Sequence, residues 1–501
     1  MTDRIVLWIN NNIFSFALAN SLQKKYDCQL FGLVDVTDKS KKFFQNQNLV
    51  KFEKTWFYHD HIKKQKKNID LEYLTAFEEK YKINLWQLAI NERLFNNSYN
   101  DYHKFTYHEI LSILEDECKL FENILEESKP DFFITVPTAL HHEHLFYELC
   151  NARKIKILML NQFNLGHRCL ISQKYNKIDF IDKLSNIENQ NRDFEKLQNH
   201  LKQFNPTKQL ITYKDNFLGG KKKRLNTAFQ FLISKNSNLK THYGYYGRNK
   251  NKVLIKEIFF ILQTKYRESF INKNFKREVS TRNFVYFTLH QEPERVLLLG
   301  SPYYTNQLET IRHIAKSIPI GFKLYVKDHP TQSIRGWRKI SFYKEIMKIP
   351  NVELIHPAVN STEILQKCSL AITVGGSLGL EAAFYQKPSI IMQDLGYAIL
   401  PSVTKIKSIE DLPEAIHLSL QQKVNSVDLD KYITLIDENA FEFDYYGFII
   451  DYHNHFYYNG NLVNVEISLE KMISFILKHE NSFDLVSDEF IKKIKQFKEI
   501  F

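Results

Sequence analysis

The residues best suited to chemistry sit where apolar runs give way to small or charged side chains. One such place is TVGGSLGLEAAFYQKP, residues 373–388. An apolar run delivers the chain to Gly375, Gly376 and Ser377, and a helix is expected to begin there with Ser377 as its N-cap. Glycines let a backbone approach an anion closely, and a helix start supplies free N–H groups with partial positive charge. Glu381, one turn further on, is placed to accept hydrogen bonds from ribose hydroxyls. A second place is YVKDHP, residues 325–330. Lys327 would neutralise phosphate or carboxylate charge. His329, held in a stiff turn by Pro330, would donate to a phosphate or a nucleotide ring. A third is LHQEPE, residues 289–294, whose Gln291 and Glu294 would lie near the same sheet edge. These three segments are read together as a nucleotide-binding site. A fourth place, the run His141, His142, Glu143, offers candidate general bases. His59, Asp60 and His61 form a rival cluster, and the sequence does not choose between them. The spacing is not HExxH, and Asp35, Asp38 and Asp60 form no paired-aspartate motif. No catalytic metal and no cofactor beyond a nucleotide-sugar substrate is therefore expected.

These side chains need elements to position them. RIVLWI (4–9), CQLFGLVDV (28–36), FFITVP (132–137) and IKILML (155–160) read as buried strands separated by helical patterns. A second alternation begins near Asn283, with strands at 284–289, 322–330, 352–355, 369–374 and 389–393. Alternation with short links is the mark of doubly wound parallel sheets, which bind ligands outside the carboxyl ends of their strands. The expected fold class is therefore α/β: two Rossmann-like doubly wound domains with helical insertions and a C-terminal helical tail. The divisions are 1–175 for an acceptor-side domain, 176–280 for a helical connector, 281–425 for a nucleotide-sugar-binding domain, and 426–501 for a helical extension. Breaks are expected at Gly219–Gly220 and within HYGYYGR, 242–248. The closing stretch EFIKKIKQFKEIF is amphipathic; it is expected to pack on the first domain, with membrane contact as the alternative.

The order HQEPE, NQLETIRHIA (306–315), LYVKDHP, NVELIHP (351–357) and then the glycine turn with Glu381 resembles the C-terminal domain of the capsule polysaccharide synthesis family. That family includes Kdo transferases of capsule assembly. The resemblance runs from Phe284 to Val403, and YGYYGR is similar to a segment these proteins carry just upstream. Asp328 and the GGS turn depart from the family's usual residues, which leaves the sugar open. The resemblance implies a metal-independent GT-B glycosyltransferase. Its donor, CMP-Kdo-like or another nucleotide sugar, would sit on the second domain, and a surface or capsular polysaccharide or glycolipid acceptor would face the first. A CDP-polyol phosphotransferase of teichoic-acid type, a UDP-sugar epimerase-like enzyme and a non-catalytic assembly protein are the alternatives.

Bulk properties agree with that class. The 501 residues exceed what one ordinary core organises. The five cysteines, Cys28, Cys118, Cys150, Cys169 and Cys368, are odd in number and contain no CxxC pair. A cytoplasmic chain without a disulfide framework is expected. No apolar run reaches the ~18 residues a membrane span needs. The net charge of +11 suits a phosphorylated substrate or an anionic membrane face. No nucleic-acid module is recognisable, so none is expected as a partner. Peripheral contact with the inner membrane and with other polysaccharide-assembly proteins completes the expectation. The basic clusters Lys63–Lys67 and Lys221–Arg224 are read as solvated faces, with a lipid surface as the other reading.

Overall fold

The computed structural model describes the chain except for residues 1, 64, 65, 67, 164, 176, 180, 182, 183, 185, 186, 205–211, 213–220, 280–282, 459, 500 and 501. Gly219, Gly220, Lys64 and Lys67 thus lie outside the described residues. Six strands come from the first third of the chain: β1 (Asp3–Asn10), β2 (Cys28–Asp35), β3 (Lys54–Phe57), β4 (Phe132–Thr135), β5 (Lys156–Gln162) and β6 (Arg168–Ser172). Six more follow: β7 (Phe284–Thr288), β8 (Lys323–Lys327), β9 (Val352–Ile355), β10 (Leu370–Thr373), β11 (Ser389–Ile391) and β12 (Val403–Lys405). A short last strand, β13 (Phe441–Glu442), returns to the first sheet.

The first sheet has the order β13-β6-β5-β4-β1-β2-β3, parallel from β3 to β5 and antiparallel at β6 and β13. The second has the order β12-β11-β10-β7-β8-β9 and is parallel throughout. Both are doubly wound. The strand order reverses between β1 and β4 in one and between β7 and β10 in the other, which are the places such sheets open a crevice. The molecule is therefore a GT-B-like pair of Rossmann-like domains.

Each sheet is covered on both faces, as its uninterrupted apolar strands require. In β1, Ile5, Leu7 and Ile9 face one core while Val6 and Trp8 face the other. In β7, Phe284 and Tyr286 separate from Val285 and Phe287 in the same way. This is the two-residue period of a strand written into side chains.

The end of the chain completes the first domain. Helices Tyr445–Phe456, Leu469–Lys478 and Glu480–Glu499 cover one face of its sheet, with Phe475, Phe483, Phe490 and Ile494 buried against Phe14 and Leu18. Ser21 donates to Asp484 at 2.8 Å, and Lys25 pairs with Asp488 at 3.0 Å. The amphipathic tail thus packs rather than projecting. Phe490→Ala is expected to cost about 3–5 kcal/mol by opening that core. It should appear as an earlier thermal unfolding transition; an unchanged one would deny the tail any part in the domain.

The connector is helical where described, but it is not a separate body. Leu197 and Leu201 enter the second domain's core, while Tyr243 and Tyr246 enter the first domain's. The turn after Tyr246 needs its glycine. Gly247 has φ +72°, and a Cβ there would lie 2.2 Å from the Tyr102 carbonyl oxygen. Among the described residues no helix is long and apolar enough to cross a membrane.

Candidate functional site

In the second domain, Lys327 ends β8 with 2 % of its surface exposed. Its ammonium donates to Ser361 Oγ at 2.7 Å. Burial pulls its pKa down to about 8, against the opposing pull of the Glu381 carboxylate. Ser377 does not cap its helix. Its backbone is already helical, and its hydroxyl turns inward to donate to Glu381 Oε1 at 2.6 Å. Burial raises the Glu381 pKa, with Ser377 and Lys327 opposing. Lys327, Glu381 and Ser377 thus form one group at the carboxyl edge of the sheet.

His329 follows directly. Its Nδ1 accepts from the Thr331 backbone N–H at 3.3 Å and lies 2.6 Å from Thr331 Oγ1. The proton then belongs on Nε2, and burial, with Lys327 and Arg338 nearby, pulls the pKa down to about 4. A neutral imidazole with a free-standing Nε2–H is a donor without charge. Pro330 opens the short turn Pro330–Arg335 behind it, and Thr331 Oγ1 lies 2.9 Å from Gln291 Oε1, bringing the second and third segments together.

The glycines serve a different purpose from the one expected. A Cβ on Gly375 would lie 2.0 Å from Gln393 Oε1, and one on Gly376 would lie 3.2 Å from His290. Protein side chains, not open space, fill the room above them. His290 Nε2 accepts the Gly375 N–H at 3.2 Å and so fastens the end of β7 to the turn after β10. Burial pulls the pKa of His290 down to about 3, so it stays neutral. The glycines close the switch point by letting His290 and Gln393 approach.

Asp328 and Arg338 hold this edge in shape. The buried Asp328 carboxylate accepts from Tyr343 at 2.5 Å, from the His329 N–H at 2.8 Å and from Arg338 Nε at 3.2 Å. Arg338 also pairs with Glu292 at 2.8 Å and donates to the His290 carbonyl. It joins the loops after β7 and β8. Its position comes from a left-handed pair just before it, Gly336 at φ +75° and Trp337 at φ +60°.

The loop after β7 reaches the first domain. Burial pushes Glu294 up to about 7, opposed by Arg335 and by Arg93 of the first domain. Arg295 lies over the Tyr175 ring at 3.9 Å, and its Nε and Nη1 are buried without a partner. It also depresses His144, which burial and this guanidinium take down to about 3. An unpaired guanidinium between two domains is a ready anion contact.

In the first domain the two rival clusters meet on one carboxylate. Asp35, at the end of β2, accepts from His142 Nε2 at 3.0 Å and lies 3.1 Å from His59 Nε2. Burial would raise its pKa, yet the two imidazoles hold it far below the carboxylate range. The other nitrogen of His142 meets the Tyr243 hydroxyl at 2.9 Å, which is how the HYGYYGR segment enters the site. Asp60, by contrast, points outward to Lys41.

His141 and Glu143 stand elsewhere than expected. His141 is fully buried, with Nδ1 2.9 Å from Glu92 and Nε2 3.0 Å from Glu117, so it cannot reach an acceptor. Burial would lower its pKa, but the two carboxylates hold it at about 10. Glu143 spends its carboxylate on the Ala139 N–H at 2.6 Å and on Asn10 at 3.2 Å, closing the helix start beside β1. Neither is positioned as a base, and His142, 2 % exposed, is held by Asp35 and Tyr243 through both of its nitrogens, whereas His59 on the same Asp35 keeps an Nδ1 without a partner. Glu117, His141 and His142 bring one ligand atom each within 4.8 Å of one another. Both nitrogens of each ring are already engaged, and an imidazolium at His141 repels a cation, so the set shares protons rather than offering ligands.

Sequence reasoning missed His290, Arg295, Arg338 and Tyr243 as parts of the site. Their only signal was adjacency to a strand end or to a glycine. Lys66, read as solvated, instead pairs with Asp116 at 2.6 Å and Glu115 at 3.0 Å.

Two doubly wound sheets, whose switch-point edges are joined through the loop 289–295, define a GT-B-like protein. Residues 160–408 match the family model described as capsule polysaccharide biosynthesis protein. Solved structures similar to the chain include KpsC of Thermosulfurimonas dismutans, a beta Kdo 2,7 transferase. It is 13 % identical, with a TM-score of 0.28, over 71 % of this chain and 97 % of that one. A UDP-GlcNAc 2-epimerase from Methanocaldococcus jannaschii is 11 % identical, with a TM-score of 0.25, over 87 % and 99 %. An alpha,alpha-trehalose-phosphate synthase (UDP-forming) from Burkholderia vietnamiensis is 9 % identical, with a TM-score of 0.29, over 90 % and 98 %. No curated protein matches.

Proposed function

We propose that the chain transfers a sugar from a nucleotide-sugar donor to a capsular polysaccharide or glycolipid acceptor, without a metal ion. The observation that carries this reading is Lys327. It is a buried cation at a strand's carboxyl end, beside the Ser377–Glu381 pair and the neutral donor His329. Such a charge stabilises the phosphate released as the glycosidic bond to the nucleotide breaks, and it is worth most where water is excluded. Glu381 would hold ribose hydroxyls, and Arg295 would meet donor or acceptor charge from the second domain's side. His59, oriented by Asp35 through Nε2 and with Nδ1 unpartnered, would take the acceptor hydroxyl proton as attack proceeds, with His142 on the same carboxylate holding Asp35 in place. A CMP-Kdo-like donor is the first to try.

The test is nucleotide binding followed by turnover. CMP, UDP, GDP and CDP are screened for thermal stabilisation, where a ligand at 100 times its Kd adds ~2.7 kcal/mol. The matching sugar nucleotides are then incubated with acceptor in the presence of chelator. Stabilisation by one nucleotide, with acceptor-dependent release that His59→Gln slows at least about 100-fold, supports the reading. Phosphodiester product from CDP-glycerol would make the protein a polyol phosphotransferase. Interconversion of a UDP-sugar without acceptor would make it an epimerase. No stabilisation by any of the four would leave a non-catalytic assembly protein.

A further inference from the structure

The net charge of this protein is not spread over it. Residues 221–274 hold 13 Lys or Arg and 2 Asp or Glu, a net +11, which equals the excess of the whole chain. The other 447 residues balance at 55 against 55. Ten of those 13 cations lie on two helices, Lys221–Ile233 and Lys250–Asn274.

The second of these bridges the domains. At its start Lys252 donates to the Tyr102 carbonyl at 2.6 Å, and Lys256 pairs with Asp101 at 3.2 Å, both in the first domain. Towards its end Arg267 donates to the carbonyls of Gly336 and Trp337 at 3.0 and 2.9 Å, and Ile271 enters the second domain's core. Its anchored side thus carries the bonded cations together with the buried Ile271. Its other side carries Ile255, Ile258, Phe259, Leu262 and Tyr266, each 54 to 71 % exposed. Their spacing of i, i+3, i+4, i+7 and i+11 is one continuous helical stripe. The first helix repeats the arrangement with Leu225, Phe229, Leu232 and Ile233, at i, i+4, i+7 and i+8, also exposed. Lys250 Nζ bonds the Leu232 carbonyl, so the end of one helix meets the start of the other.

Two apolar stripes of this size on a water-soluble surface mark a contact. We infer that these helices dock the protein onto an anionic lipid surface, lying along it rather than crossing it. Apolar stripes flanked by lysines are what a bilayer of acidic lipids takes up: side chains enter the acyl boundary while amines meet headgroup phosphates. A second copy of the chain fits poorly, because it would set one +11 segment against another. The neighbouring anchors, Tyr102 and Gly336–Trp337, belong to loops that adjoin the crevice, so docking would hold its mouth close to the lipid. The inference stands apart from the transferase reading, since sedimentation measures binding alone.

The experiment is sedimentation of the full chain with vesicles of phosphatidylcholine, alone or with about a third phosphatidylglycerol. Wild type is expected to sediment with the anionic vesicles, less so at high salt, and to stay in solution with the neutral ones. Ile258→Asp with Leu262→Asp should reduce the partition at least about tenfold without changing Tm, because both side chains are already in water. Lys265→Glu, at another exposed site, should reduce it by a smaller factor. Wild type remaining in solution, equal binding to neutral vesicles, or unchanged binding by the double variant overturns the inference. So does a dimer that the double variant dissociates while no vesicle binding is seen.

Discussion

Lys327→Met is expected to lower nucleotide-sugar turnover by about 10²–10³-fold while raising Tm. The two effects have one cause. Lys327 is 2 % exposed, and burial has pulled its pKa down to about 8, so the fold disfavours its ammonium even as the crevice needs it. Methionine keeps much of the volume and removes the charge. Ser361 retains a contact with the Tyr286 hydroxyl at 3.4 Å. Replacing a poorly solvated buried charge by an apolar side chain is worth ~1–3 kcal/mol. The sign with pH follows from the lowered pKa. The folded state releases the proton before the unfolded state does, so wild-type stability recovers between about pH 8 and about 10.5, and the advantage of methionine should shrink over that interval. The measurements are Tm against pH and kcat/KM with the preferred donor. Wild-type turnover by a well-folded Met variant would remove Lys327 from the donor site.

His141→Ala should do the reverse, destabilising the first domain by about 3–5 kcal/mol with no direct part in chemistry. The loss leaves Glu92 and Glu117 buried without their shared cation, and Glu117 Oε2 already has no partner. Two titrations bound the contribution. His141 is raised to about 10, so its part is complete below the ordinary histidine range near 6.5 and is lost as pH rises through about 10. Glu92 is lowered to about 2 despite burial, because His141 holds it there. Its part is present above about 4.5 and is lost as pH falls through about 2. The triad is therefore worth most between about pH 4.5 and 6.5. Tm differences between wild type and His141→Ala should peak in that window and narrow towards pH 10. A difference that stays flat to pH 10 would deny the imidazolium its role. His142→Gln, one residue along, should leave stability closer to wild type, because a glutamine amide can still donate to Asp35.

The contrast between these neighbours shows where sequence reading stops. Adjacent residues on a helix point about 100° apart, so His141 and His142 face different surroundings. One lies between two buried carboxylates and the other on Asp35. Which is which depends on Glu92, Glu117 and Asp35, which are 24 to 107 positions away in the chain. The rival clusters at 59–61 and 141–143 looked like alternatives because a sequence cannot display that β2, β3 and β4 end at the same edge of one sheet. Once they do, one member of each shares a carboxylate.

The sequence by itself determined the two doubly wound domains, because strands buried on both faces must be written as apolar runs and their crossover helices as amphipathic ones. It also determined that chemistry belongs at 289–294, 325–330 and 373–388, since polar residues directly after such runs can only lie at carboxyl ends. Only the tertiary structure decided what each does there. Gly375 and Gly376 admit Gln393 and His290, Ser377 turns to Glu381, and Arg338 ties two loops together. It also separated one lysine cluster from another: Lys66 is drawn into a pair of carboxylates, while the excess charge at 221–274 stays beside open apolar stripes. The physical reason is the same throughout. Periodicity along a chain reports which side of an element is buried, but a side chain's charge, partner and reach depend on elements brought beside it by folding.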